Sequence, residues 1–119
     1  MAHIYHILKR SDWERAKKDG SYHPISLNNE GFIHCSKTDQ IKKVADSFYK
    51  SLKDLIIIRI EEESVEAKVV HEPPLEAPMS EVLFPHIYGE LNIDSVDKEI
   101  DFPCSEDGSF ELPDGLLGD

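Results

Sequence analysis

The sequence predicts a single α+β domain with two main helices, over about residues 12–19 and 38–52, set among short strands. Three observations carry this. The length, 119 residues, is that of one domain. Ile41, Val44, Ala45, Phe48 and Leu52 recur at the i, i+3, i+4, i+7 spacing of a half-buried helix. Leu55-Ile56-Ile57-Ile58 is a short β-branched run, the composition of a central strand.

The elements follow in order. His3 to Leu8 alternates weakly and reads as a strand. Ser11 and Glu14 have the spacing of a capping box, Trp13, Ala16 and Lys17 share one face, and Gly20 stands where a helix stops. Ser21 to Glu30 is polar, with Pro24 and Asn28-Asn29, and reads as a loop with one short extended piece. Gly31 to Ser36 is a short buried strand, after which Ser36 or Thr38 caps the second helix. The strand over Asp54 to Ile60 is expected to pair with Val65 to His71 across the charged turn Glu61 to Ser64. Prolines make 73–80 a loop. Val82 to Tyr88 is extended, and Pro85 inside it implies an edge or a bulge. Ile93 to Ile100 adds a strand. The domain is expected to span 1–102, with 103–119 an acidic, loosely held C-terminal tail.

Charge restricts the function classes. The net charge is −11, and the arginines are Arg10, Arg15 and Arg59 alone. Nucleic-acid affinity comes mainly from cations that displace counterions, so broad nucleic-acid binding is not expected. An anionic membrane surface is disfavoured on the same ground. No apolar run approaches bilayer length, and no signal-peptide core opens the chain, which reads as cytoplasmic. Cys35 and Cys104 are far apart and form no CxxC pair.

The residues suited to chemistry are histidines among large apolar neighbours: Tyr5-His6-Ile7, Phe32-Ile33-His34-Cys35-Ser36 and Phe84-Pro85-His86-Ile87-Tyr88-Gly89. Imidazole titrates near neutrality, which fits it to proton transfer. Burying it costs free energy unless it finds partners, and a shared pocket provides them. His6, His34, Ser36 and His86 are therefore the candidate catalytic residues, and Tyr5, Tyr88, Gly89 and Glu72 the candidate ligand contacts. Each histidine taken alone also reads as a satisfied core or rim residue. Cys35 points to the opposite face of its strand from His34 and reads as a small buried hydrophobe rather than a nucleophile. A three-histidine zinc site from His6, His34 and His86 has no spacing signature behind it, and no metal is expected.

The strings IYHI, GFIHCS with the following Gln40, and FPHIYGEL, together with a tryptophan in the first helix, resemble an uncharacterised family, the domain of unknown function nine hundred and fifty-two. The resemblance runs from about Ile4 to Val96 and leaves the acidic tail outside. Glu90 stands where that family's pattern has a proline. The resemblance implies a fold similar to the ADP-ribosyltransferase group, a split antiparallel sheet with helices at its sides. It also implies a likeness to the RNA 2′-phosphotransferases, which use NAD. On that likeness His6 touches the nicotinamide-side ribose, His34 and Ser36 line the same cleft, and His86 and Tyr88 close it. The departures are His6-Ile7-Leu8 in place of His-Gly-Thr, few arginines to hold phosphate, and no Gln/Glu-x-Glu pair, although Glu72 and Glu90 are available. The expected function is a nucleotide- or NAD-using transferase or hydrolase with a histidine-rich cleft and a small-molecule nucleotide ligand. The alternatives are a non-catalytic module binding a nucleotide or small metabolite, and a histidine–metal hydrolase.

Overall fold

Leu55–Glu61 forms a strand buried along nearly its whole length, and the fold is organised around it. The computed structural model describes residues 2–113 and 116. The elements are β1 (His3–Lys9), α1 (Arg10–Asp19), β2 (Ser21–Tyr22), α2 (Ile25–Asn29), β3 (Ile33–His34), α3 (Ile41–Phe48), β4 (Leu55–Glu61), β5 (Lys68–Glu72), β6 (Phe84–Tyr88), β7 (Leu91–Asn92) and β8 (Val96–Asp101). Short 3-10 turns precede α3, β5 and β8. The sheets are antiparallel, in the orders β1-β4-β8, β2-β7 and β3-β6-β5.

The first sheet is apolar on both faces, which explains the unbroken run at Leu55–Ile58. Ile4, Leu8, Ile56, Ile58 and Ile60 point to one side, where Trp13 and Ala16 of α1 cover them. Tyr5, Ile7, Leu55 and Ile57 point to the other, under Ile41 and Ala45 of α3. The second sheet, β3-β6-β5, also has two faces. Ile33, Ile87 and Val69 are opposed across the strands and join the α1-side core. The next row, His34, His86 and Val70, therefore points the other way. A single bridge joins the two sheets: Tyr5 N–H donates to Ser36 O at 2.8 Å and Ser36 N–H to Tyr5 O at 2.7 Å.

Several expectations are corrected. β5 pairs with β6 rather than with β4, because β1 and β8 already occupy both edges of β4. Pro85 lies in the middle strand of its sheet, not at an edge. It sits beside the strand's first residue, and its carbonyl accepts from Cys35 N–H, so the missing donor interrupts little. Helix α3 stops at Phe48 rather than continuing to 52. Ser51 and Asp54 adopt positive φ beyond it, so Leu52 leaves the helical stripe and is exposed. Helix α1 starts at Arg10, which places Ser11 inside the first turn with no cap bond. Its end is as expected: Gly20 is left-handed and donates to Ala16 O at 2.9 Å. The loop expected over 21–30 contains the helix α2.

The segment expected as a loose tail returns to the core over its described residues. Phe110 is fully buried and stacks on Phe102 with centroids 4.7 Å apart, and Leu116 is buried in the same cluster. Phe110 N–H donates to Asp46 Oδ1 at 2.9 Å, and Lys42 Nζ donates to Phe110 O at 2.7 Å, so α3 holds the segment at both backbone groups. The last part of the expected tail, 114–115 and 117–119, lies outside the described residues. No helix among the described residues is long and apolar enough to cross a membrane.

Candidate functional site

The two sheets diverge from the Tyr5–Ser36 bridge, and a cavity of about 400 Å³ opens between them on the α3 side. That volume suits a small ligand. Tyr5, His34, Ser36 and His86 line it. Val44, Phe48 and Tyr49 wall it from α3 and its end, and Phe84 and Pro74 from β6 and the loop before it. This accounts for Phe48, which is exposed although it lies on the apolar stripe of α3: it forms part of the cavity's rim.

His34 and His86 are opposed residues of β3 and β6, with ring centroids 5.6 Å apart and planes at 73°. Phe32 stacks on His86 at 4.0 Å and lies 4.7 Å from His34, so one buried ring holds both imidazoles. Each imidazole has its own carboxylate. His34 Nε2 lies 2.7 Å from Glu30 Oε1. His86 Nδ1 lies 2.7 Å from Glu72 Oε2, which also accepts a short hydrogen bond from Tyr88 Oη. Those two bonds hold the Glu72 carboxyl below the usual range, the Tyr88 bond being the larger cause, and the Glu72 bond in turn raises the Tyr88 phenol. A carboxylate can only accept, so the neutral imidazole of His86 carries its proton on Nδ1 and has Nε2 as its acceptor. No described residue bonds His86 Nε2 or Ser36 Oγ, although both side chains are buried and line the cavity.

The expected residues are thus brought together in part. Tyr5, His34, Ser36 and His86 share the cavity, and Glu72 and Tyr88 support it through His86. His6 does not join them. Neighbours on a strand point to opposite faces, so His6 leaves β1 on the side away from Tyr5. There its Nδ1–H donates to His34 O at 2.5 Å and its Nε2 accepts from Tyr22 Oη at 2.8 Å. Burial lowers its pKa to about 4, which keeps it neutral with both nitrogens committed. This placement also separates His6 from the other two histidines of a three-histidine zinc arrangement. Gly89 serves packing: a Cβ there would approach Ala67 Cβ to 2.9 Å. Cys35 is buried in the α1-side core, and burial raises its thiol, which disfavours the thiolate a nucleophile needs.

Residues that sequence reasoning missed are Glu30, Phe32, Tyr49 and Phe84. Glu30 stands four residues before His34, and Phe32 shares the alternation of His34, which were the available signals. Among the described residues, the cluster with metal-ligand spacing is His3, Glu61 and Asp97, none of which lines the cavity. Arg59 already occupies Asp97 there, with Nε 2.8 Å from Oδ1 and Nη2 3.1 Å from Oδ2.

A family model described as protein of unknown function (DUF952) matches residues 7–99. The chain is similar to protein CC0527 from Caulobacter crescentus. Its crystal structure shares 29% identity over 93% of this chain and 95% of that one, with a TM-score of 0.79. Its solution NMR structure covers 98% of both chains at the same identity, with a TM-score of 0.74. Among curated proteins none matches.

Proposed function

The chain belongs to the DUF952 family, proteins of unknown function, and from that premise we propose that it is a nucleotide-binding enzyme of the ADP-ribosyltransferase-like group. On this reading NAD or a related nucleotide places a ring and its ribose in the cavity between the sheets. The single observation that carries the reading is the convergence of His34, Ser36 and His86 on one cavity, each histidine backed by its own carboxylate. The split of the sheets at the Tyr5–Ser36 bridge is in keeping with the fold the sequence motifs imply.

The chemistry follows from the acceptor. His86 Nε2 takes the proton of an attacking hydroxyl as the bond from the anomeric carbon to its leaving base breaks, and the base departs with the bonding pair. Glu72 holds the imidazole in the required tautomer and stabilises the imidazolium that forms. His34, paired with Glu30, and Ser36 position the ribose hydroxyls.

A second reading, a binding module without turnover, is favoured by one observation. Glu30 and Glu72 are each engaged with a histidine, which leaves neither free as a separate catalytic acid. Thermal shift with NAD, ADP-ribose, adenosine and nicotinamide tests binding. A ligand at a hundredfold excess over Kd stabilises the fold by about 2.7 kcal/mol. The wild type is expected to shift with at least one of them, and His86→Ala to shift less. No shift with any of them would remove the proposal. Chromatographic detection of nicotinamide released from NAD then separates enzyme from module.

A further inference from the structure

We infer that the part of the ligand entering the cavity is an N–H-bearing, positively charged ring end, a chemistry that amidines, guanidines and amines share, and that any phosphates of the ligand stay outside. The inference rests on the cavity being the ligand site proposed above and names what that site selects.

The lining of the cavity complements such a group. The carboxylates lining the cavity are Glu30 and Glu76, and among the described residues no lysine or arginine lines it. In its neutral form His86 offers an acceptor at Nε2, because the Nδ1 proton is turned to Glu72. Ser36 offers a hydroxyl that accepts as readily as it donates. The lining is thus rich in lone pairs and poor in fixed donors. A phosphate or carboxylate placed there would meet the Glu30 and Glu76 carboxylates with no lysine or arginine among the described lining residues to offset them, and desolvation would add to the cost. An amidinium or guanidinium brings donors to the carboxylates and to His86 Nε2.

The walls favour the same class. Tyr5, Phe48, Tyr49 and Phe84 surround the space with aromatic rings, whose faces attract cations. The net charge of −11 adds a long-range field that draws cations in and slows anions.

Three isosteric probes test this: benzamidine, benzamide and benzoate share a ring and differ mainly in charge and donors. Their affinities are measured by NMR titration of the whole chain at low salt, with NAD and adenosine titrated alongside. Benzamidine is expected to bind at least tenfold tighter than benzamide, with benzoate weakest. Glu76→Gln, an exposed loop change that should leave the fold intact, is expected to narrow the gap between benzamidine and benzamide severalfold. Benzamide or benzoate binding as tightly as benzamidine would overturn the inference. If NAD or adenosine still bound at the cavity in that case, the nucleotide reading would survive it. Failure of all the ligands to bind would remove both.

Discussion

His34 and His86 stand directly opposite each other across β3 and β6, and one buried ring, Phe32, packs against both. Each imidazole is turned by a carboxylate from a different part of the chain, Glu30 from four residues upstream and Glu72 from β5. The pair is a product of sheet register. A slip of one residue between β3 and β6 would send one histidine into the α1-side core and dismantle the site.

The Glu72 carboxylate should matter to function more than to stability. It is partly exposed and accepts from both His86 and Tyr88. Glu72→Gln removes a charge-assisted bond and the fixed tautomer of His86. Ligand affinity is expected to fall about tenfold, while denaturant unfolding changes by about 1 kcal/mol or less. Unchanged affinity would show that His86 needs no orienting partner.

His6 should act as a structural group with a pH signature. Its pKa lies at about 4 in the folded protein against about 6.5 unfolded, so the unfolded chain binds the extra proton first as pH falls. Stability is therefore retained above the unfolded value and lost between about pH 6.5 and pH 4. Between pH 7 and pH 5 the wild type should lose about 2 kcal/mol relative to His6→Asn, which keeps a donor toward His34 O but does not titrate. Glu72, whose carboxyl is also held low, adds its loss at lower pH, so this interval isolates the imidazole. Parallel pH profiles from urea unfolding would contradict the account.

The C-terminal segment should belong to the folding unit. Phe110 is buried against Phe102 and bonded at both backbone groups to α3, which also walls the cavity. Phe110→Ala is expected to cost about 3–5 kcal/mol. A change under about 1 kcal/mol, read by chemical denaturation, would restore the picture of a loosely attached tail.

Much of the site was legible because local pattern determined it. His34 and Ser36 share a strand face, and so do His86 and Tyr88, and alternation alone separates Cys35 from His34. Alternation also held the clue that His6 and Tyr5 diverge. The partners that a buried imidazole needs, Tyr22 and the His34 carbonyl, come from segments the sequence does not bring together. Strand pairing was illegible for a related reason. β4 and β5 are neighbours in sequence, yet the two-faced apolar character of β4 suits a central place between β1 and β8. The acidic composition of the final segment concealed Phe110 and Leu116, two apolar residues that outweigh the surrounding charge once a hydrophobic groove is available.

The most direct test of the central claim is a backbone and histidine side-chain NMR titration with NAD and adenosine. Ligand-induced shifts are expected to centre on His34, Ser36, Tyr49, Phe84 and His86, with the His86 Nε2 resonance moving most. Shifts centred instead on His6, Tyr22 and His23, on the far face of β1, would contradict the account and place the ligand elsewhere.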